Sequence, residues 1–482
     1  MARKPHIIIL GAGPAGVGAA FELTRKGLAA ATVVDMCETV GGYASSFTLS
    51  GVRVDYGSHR LHPACDAEIL EDIRSLLGGD LLERPRHGRI RLQGRWIHFP
   101  LRPLDLALRL PPSFAIGTTG DLVGKVLGRR KSGGGGRGGG GSESFASVLE
   151  AGLGSTICRD FYFPYVEKIW GLRPEEVSPV QAHRRVSAGS MGKMIRKVLG
   201  AVPGLKPEGA GVFYYPKSGF GEITEAMATA AEEAGAEFVL GSEVTRVALD
   251  GGDGCSVTVT GAGKERVLDA DMVWSTIPVT TLAGIITPAA PPEVTAAAGE
   301  IGYRAMVLVY LVLDTGRFTE FDAHYFPERE IPITRLSEPK NYSAANEPEG
   351  RTVLCAELPC ATTDPEWWMT DGELADIVKK SIERAGLPLE ARVVEATTRR
   401  LPHAYPLYRR GYEESIERID DWLGSLENLL VFGRQGLFVH DNTHHALFMA
   451  YSAARCLGPA GRFDRARWEE MRKVFETHVV ED

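Results

Sequence analysis

A chain of 482 residues, 44% hydrophobic and 24% charged, has an ordinary globular composition and the length for two domains. Its net charge of −8 excludes a global basic field for nucleic acid or anionic lipid, and Arg129-Arg130-Lys131 is only a local basic run. No apolar run reaches the ~20 residues of a membrane span, the short polar start lacks the features of a signal peptide, and seven cysteines without a CxxC pair speak against a disulfide framework or zinc site and for a reducing cytosol.

Residues 6–10, His-Ile-Ile-Ile-Leu, read as a buried parallel strand, because the apolar run is continuous and does not alternate. The turn Gly11-Ala12-Gly13-Pro14-Ala15-Gly16 follows at once, then a helical pattern over Val17–Lys26 with Gly27 at its end. Thr32-Val33-Val34-Asp35 is a second strand ending in an acid nineteen residues after Gly16, with Met36 beside it. Gly11 permits the tight turn, Gly13 lets backbone N–H groups approach a pyrophosphate, and Gly16 lets helix and strand pack closely. Asp35 is placed to accept hydrogen bonds from a ribose hydroxyl pair. This pattern marks a dinucleotide site without choosing between FAD and NAD. A second glycine group, Gly41-Gly42-Tyr43-Ala44-Ser45-Ser46, comes next, followed by Gly51 to Pro63 with Asp55, Gly57, Ser58, His59, Arg60 and His62.

Residues 81–204 and 286–424 read as a second, α+β unit with a helical part. It includes Arg95-Trp96-Ile97-His98-Phe99-Pro100, a helical stretch over 161–171, a strand over Ala305–Leu313, and the segment 334–342 carrying Arg335. Ser132–Ser142 is nearly all glycine and reads as a disordered surface loop. Residues 205–285 supply Phe213–Gly221, a helix over Glu222–Ala234, a strand over Val239–Val247, an alternating strand over 255–268, and the exit Val273–Pro278. Finally Leu429–Leu437 is a buried strand entering a glycine turn at Gly433-Arg434. Phe438-Val439-His440-Asp441-Asn442-Thr443-His444-His445 follows, with an apolar helix from about Ala446.

These motifs together resemble the flavoproteins built on two dinucleotide-binding domains: amine oxidases, protoporphyrinogen oxidase, phytoene desaturases and UDP-galactopyranose mutase. The resemblance covers most of the chain and implies FAD as cofactor. It implies an α/β fold in which a Rossmann-like domain with a β-meander (1–80, 205–285, 425–482) interleaves with a substrate domain (81–204, 286–424). It further implies cofactor contacts from Gly11, Gly13, Pro14, Ala15, Gly16, Asp35, Met36, Gly41, Gly42, Tyr43, Ala44, Ser45, Gly57, Ser58 and His59. Val244 would lie against the adenine, and Gly433, Arg434, Asp441, Asn442 and His445 near the flavin, where a helix N-terminus would stabilise the anionic reduced ring. Asp441 and Asn442 would serve as helix caps or ribityl contacts.

The chemistry implied is two-electron oxidation of a small polar metabolite at a C–H next to nitrogen, oxygen or an unsaturated centre, with reoxidation by O2 or another acceptor. His59, His62, His440, His444 and His445 are the titratable candidates. Arg335 would anchor a polar or anionic group, unless Glu338 or Glu357 pairs with it. The alternative is a mutase: Gly57-Ser58-His59-Arg60-Leu61-His62 resembles the mutases' Gly-x-His-x-x-His, and Arg335 a pyrophosphate-binding arginine. Phe438, His440 and Asn442 depart from the mutases' two tyrosines and aspartate. A non-catalytic protein of the GDP-dissociation-inhibitor type is disfavoured by the intact glycine turns and Asp35. No metal is expected, because adjacent His444 and His445 on a helix point about 100° apart. Trp367-Trp368 and the aromatics of 161–165 read as packing. The oligomeric state, dimer included, is left open.

Overall fold

The computed structural model describes residues 3–100, 108–111, 113–114, 116–118, 121, 143–185, 211–249, 254–345, 347–458 and 461–480. The glycine-rich 132–142 segment and the basic run 129–131 lie outside the described residues.

The chain is mixed α/β. Five parallel strands stand in the order Leu429–Val431, Met272–Ser275, His6–Leu10, Ala30–Val34, Glu237–Val239. Successive residues of His6–Leu10 serve opposite faces, as a two-residue period requires. Ile7 and Ile9 join a core with the helices Pro14–Arg25, Glu222–Glu233 and Thr443–Arg455, while Ile8 and Leu10 join one with Val247, Val257 and Val259 behind the sheet. Burial on both faces explains the unbroken apolar run.

The layer behind is a sheet ordered Lys264–Ala270, Cys255–Gly261, Ser242–Leu249, Ile286–Thr287. Two strands expected to be single are each divided. Glu237–Val239 stays in the parallel sheet, and the chain turns at Gly241 (φ +62°) before Ser242 starts the second sheet. Likewise 255–268 is a hairpin, turning through Ala262 (φ +48°) and Gly263 (φ +73°). Two left-handed residues in succession make the mirror-image turn that matches strand twist. Alternation continues across that turn, so periodicity alone does not expose it.

A seven-stranded sheet combines segments far apart in sequence: Val393–Pro406, Tyr303–Leu313, Thr352–Cys360, Arg335–Ser337, Ala323–Tyr325, Gly88–Leu92, Arg95–Phe99. Val307, Val309 and Leu311 face the helix Asp371–Arg384, whose Thr370 and Glu373 form a capping box. Met306, Leu308 and Tyr310 face Val52 and Val54 of the hairpin Ser46–Asp55. Cys158–Tyr162 and Phe163–Trp170 confirm helical structure over most of 161–171, the first as a π turn. Further helices, Phe145–Leu153 and Pro179–Arg185, complete the helical part.

Candidate active site

Three glycine turns meet at the N-terminus of the helix Pro14–Arg25. A Cβ on Gly16 would lie 1.8 Å from Gly11 O, and one on Gly11 (φ +98°) 2.5 Å from Thr276 Oγ1, so both positions demand glycine. A Cβ on Gly42 would approach Gly13 Cα to 3.3 Å, and one on Gly433 would reach Ala15 Cβ at 2.9 Å. Over Gly13 a Cβ meets nothing within 4 Å, and Gly13 caps the helix without a side-chain bond. Pro14 occupies the first turn, so the helix start presents backbone N–H groups to open space, as a phosphate requires. The helix begins three residues before the expected Val17.

Asp35 has a second duty that its position alone does not announce. Its Oδ2 accepts Ala12 N–H at 2.7 Å and its Oδ1 accepts Cys37 N–H at 2.8 Å, tying the first turn to the strand end. Each carboxylate oxygen retains a lone pair for a hydroxyl. Ser242 N–H donates to Asp35 O at 2.9 Å, which brings the strand holding Val244 alongside. Met36 is 71% exposed. Gly41 N–H reaches Ala12 O at 2.7 Å and Ser45 Oγ bonds Gly42 O at 2.8 Å, with Ala44 buried between them. Tyr43 turns away, its hydroxyl accepting His403 N–H at 3.3 Å. This open cradle of glycines and backbone donors, with an acid at its end, fits the dinucleotide part of FAD.

The Asp55–His62 segment is bolted down by a buried carboxylate that motif reading passed over as scaffold. Asp55 accepts from Ser46 Oγ (2.6 Å), Tyr215 OH (2.6 Å) and Phe220 N–H (2.9 Å), while Tyr310 OH donates to its carbonyl at 2.7 Å. Burial pushes its carboxyl pKa up. His59 Nε2 donates to Tyr56 O at 2.9 Å, the only role a carbonyl partner allows, so Nδ1 holds the lone pair. Its ring stacks on Phe220 at 5.3 Å, and burial lowers its pKa although Asp55 opposes this. His62 accepts Ala64 N–H at 3.0 Å through Nδ1.

Beyond His59 lies a buried ionic cluster on one face of the seven-stranded sheet. Arg335 donates from Nε (2.9 Å) and Nη2 (2.7 Å) to Glu357 Oε1, which also accepts Ser58 N–H at 3.1 Å. Gly57 crosses close by: a Cβ there would lie 3.3 Å from the same oxygen. Of the two partners expected for Arg335, Glu357 is therefore the one used. Glu338 instead accepts Phe318 N–H, Thr319 N–H (both 2.9 Å) and Thr352 Oγ1 (2.7 Å). Burial works against the Arg335 charge, yet Glu357 holds its pKa above the ordinary value. Arg60 donates to Tyr325 OH (3.0 Å) and Tyr342 OH (3.2 Å) and pairs with Asp322 Oδ1 at 3.4 Å, with Ser58 Oγ 2.5 Å from Tyr342 OH. Sequence reading missed Arg60, Asp322, Tyr325, Tyr342 and Glu357 as site residues. Arg60 stands inside a recognised motif, but the others come from separate segments with no shared spacing.

The last junction departs most from expectation. Arg434 donates to Ala404 O at 2.6 Å and lies 5.5 Å over Tyr405, so its side chain serves the sheet strand Val393–Pro406. Phe438 is buried at φ +52°, a conformation strained for a bulky residue. His440 stands apart from the other histidines: its Nδ1 is 3.1 Å from Gln181 Nε2, its N–H reaches Tyr408 OH at 3.1 Å, and its ring leans on Tyr405 at 5.0 Å. The helix begins at Thr443, ahead of the expected Ala446, so His444 and His445 occupy its first turn. Asn442 N–H bonds His445 Nδ1 at 3.2 Å, placing Asn442 as the cap. Asp441 is no cap; it is buried, with Oδ2 2.9 Å from His478 Nδ1.

The geometry of this end joins His62 to His444 (ring centroids 6.3 Å apart), His444 to His445 (4.1 Å) and His445 to His478 (4.2 Å). Ligand-type atoms of Asp441, His445 and His478 lie within 4.8 Å of one another. Spacing arguments about neighbouring His444 and His445 did not anticipate this, because His478 arrives from beyond the last helix. The arrangement is hydrogen-bonded: His478 and the Asn442 N–H engage the lone pairs a metal would need. A second acid group, Glu22, Glu68 and Asp72, is neutralised by Arg25, Lys26 and Arg455.

Among known proteins, the chain is 25% identical to the all-trans-zeta-carotene desaturase of Myxococcus xanthus, over 79% of this chain and 78% of the relative. A solved structure of reduced UDP-galactopyranose mutase superposes with a TM-score of 0.80 at 22% identity, covering 99% of this chain and all of that one (100%). Cyclohexylamine oxidase from Brevibacterium oxydans gives 0.66 at 16% identity, covering 97% and 100%. These structural likenesses establish the fold. The sequence pattern described as flavin containing amine oxidoreductase matches residues 14–445, from the first turn of the cradle helix to the imidazole that caps the last junction. The chain therefore belongs to the flavin containing amine oxidoreductase family, an FAD-dependent oxidoreductase family.

Proposed function

We propose that the protein is an FAD-dependent enzyme that oxidises a small polar metabolite at a C–H next to nitrogen, oxygen or an unsaturated centre. The observation carrying this reading is the buried ionic cluster of Arg335–Glu357 and Arg60–Asp322, capped by Tyr325 and Tyr342. Such a lining would cost an apolar polyene heavily and rewards a substrate that brings its own hydrogen-bonding groups. That separates it from the carotene named for the Myxococcus relative.

Bound FAD supplies the two-electron acceptor; the protein supplies orientation and proton handling. Gly11 to Gly16, Asp35 and Gly41-Gly42 would hold its dinucleotide part, with Val244 at the adenine. Gly433 and the 438–445 junction would hold the ring end. Arg335 spends two of its N–H donors on Glu357, leaving others to orient a substrate carboxylate, phosphate or hydroxyl. His59, kept neutral by burial, offers Nδ1 as a proton acceptor.

Strands from 6–34, 237–275 and 429–431 build the parallel sheet, which supports assigning 1–80, 205–285 and 425–482 to a cofactor domain and the rest to a substrate domain. Among the described residues no helix is long and apolar enough to cross a membrane.

The test is anaerobic mixing of the yellow holoprotein with panels of polar amines, alcohols and acids. Bleaching of the flavin bands by a member of these panels is expected; bleaching only by an apolar polyene would refute the reading. A second reading, redox-neutral isomerisation of a sugar nucleotide, draws on the same Arg335 beside two tyrosines, a set suited to a diphosphate. It predicts turnover only with pre-reduced FAD and no net oxidation.

A further inference from the structure

We propose that Arg89, held between the rings of Trp96 and Phe321, is a binding site for a small oxyanion, a phosphate or carboxylate group, on the face of the seven-stranded sheet that turns away from Tyr325 and Arg335. The site is separate from the candidate substrate cluster and does not depend on what the flavin oxidises.

Strand register sets its place. Tyr325 pairs with Arg335 and shares the cluster face with it, so His324, one residue earlier, points to the other face. Arg89 is the parallel partner of His324 and the antiparallel partner of His98, and Trp96, two residues before His98, shares their face. The Arg89 guanidinium carbon lies 4.3 Å from the ring centre of Trp96 and 4.3 Å from that of Phe321. His87 extends the stack, 4.6 Å from Phe321 with the rings inclined at 22°.

Aromatic faces attract a cation without engaging the N–H groups that radiate in its plane. The stack therefore fixes the guanidinium and leaves its donors to be used. Arg60, Arg91 and Arg335 are each paired with a carboxylate, whereas Arg89, half-buried, forms no ion pair. Its one side-chain hydrogen bond is a long contact, 3.4 Å from Nη2 to His324 Nε2, which leaves Nη1 unused. Burial pulls the Arg89 pKa down to about 10, with Glu320 opposing the fall and Arg109 adding to it. A cation in this state gains from an oxyanion gripped by two parallel N–H bonds, and because it is already fixed it loses little freedom on binding.

The groups around it leave that role to a ligand. His324 is kept neutral by burial and brings no counter-charge. Asp322 accepts His87 N–H at 3.1 Å, but its charge is taken up by Arg60 in the cluster. Glu320 lies 3.8 Å from His87 Nε2 with its side chain 71% exposed, so water screens it from Arg89.

The probe is inorganic phosphate, added to the holoprotein at ionic strength held constant with sodium chloride, and followed by titration calorimetry and by the thermal midpoint. Wild type and Arg335→Ala should both show a saturable site with Kd about 1 mM, the scale set by two charge-assisted hydrogen bonds. Arg89→Met, which keeps an unbranched chain between the rings, should bind at least tenfold more weakly. Should that variant fail to fold, Glu320→Gln at its exposed position reads the same site and should bind phosphate about threefold more tightly. A phosphate effect that never saturates, or one that saturates equally in folded Arg89→Met, would overturn the proposal. So would unchanged affinity in Glu320→Gln, or a site kept in Arg89→Met and lost in Arg335→Ala, which would put the ion in the substrate cluster. Acetate titrated in parallel names the ligand class: tighter binding than phosphate supports a carboxylate-bearing ligand, weaker binding a phosphate-bearing one.

Discussion

The cofactor cradle and the ionic cluster are both polar, yet they are built in opposite ways. The cradle is made of backbone: Gly11, Gly13, Gly16, Gly41, Gly42 and Gly433 let main chains approach within contact distance, and Asp35 is its one charged side chain. The cluster is made of side chains, Arg60, Arg335, Asp322 and Glu357 with Tyr325 and Tyr342, on strands and loops scattered from residue 60 to 357. A backbone site must fail by steric exclusion. A side-chain site must fail by loss of charge balance.

The largest effect should come from the cradle. Gly16→Val places carbon where Gly11 O already lies, 1.8 Å from the Cβ position, so purified protein should carry no FAD and show no flavin absorbance. In the cluster, Glu357→Leu leaves the Arg335 charge buried without its partner and should cost about 3–5 kcal/mol, read from denaturant midpoints. Arg335→Lys keeps the charge but loses the planar fork. Once a substrate is in hand, it should raise KM about 10- to 100-fold with a smaller change in kcat.

A pH experiment sharpens the same comparison, because the seven-stranded sheet also buries a histidine, on the face opposite Tyr325 and Arg335. His324 is 1% exposed, and burial, with Arg89 beside it, lowers its pKa to about 3. Below the unfolded value of about 6.5 the unfolded chain therefore binds the extra proton, so folding stability falls as pH falls from 6.5 toward 3. The slope is roughly 1 kcal/mol per pH unit, and His324→Phe should remove that share from urea midpoints compared at pH 7 and 5. The smallest effect is expected at Gly42→Ala, where φ of +52° and a 3.3 Å approach to Gly13 Cα should cost about 1 kcal/mol and weaken FAD retention slightly.

The same contrast explains what could be read from residues alone. Gly11 to Gly16 and Asp35 are legible because strand, turn, helix and acid follow one another within thirty residues, and local geometry dictates their types. Arg335 could be named with two candidate partners, but not the choice between them, since Glu338 is nearer in sequence and Glu357 is the one paired in space. Gln181, on the helix Pro179–Arg185, holds His440, and His478, beyond the last helix, holds Asp441; neither segment's sequence carries a mark of its destination. Asp441 and Asn442 look equally like caps on paper. The fold sends one outward to the helix start and the other inward to an imidazole. The divided strand at Ala262-Gly263 was hidden because alternation persists through its turn.

The account's central claim is that an FAD held by the glycine cradle oxidises a polar substrate held by the Arg335–Glu357 cluster. The most direct measurement is the flavin absorbance of wild type and Arg335→Ala holoproteins, mixed anaerobically with the polar compound that bleaches wild type best. Bleaching of wild type, with at least a tenfold higher half-saturating concentration in the variant, is the predicted result. Equal concentration dependence in the two proteins, both fully loaded with FAD, would contradict it.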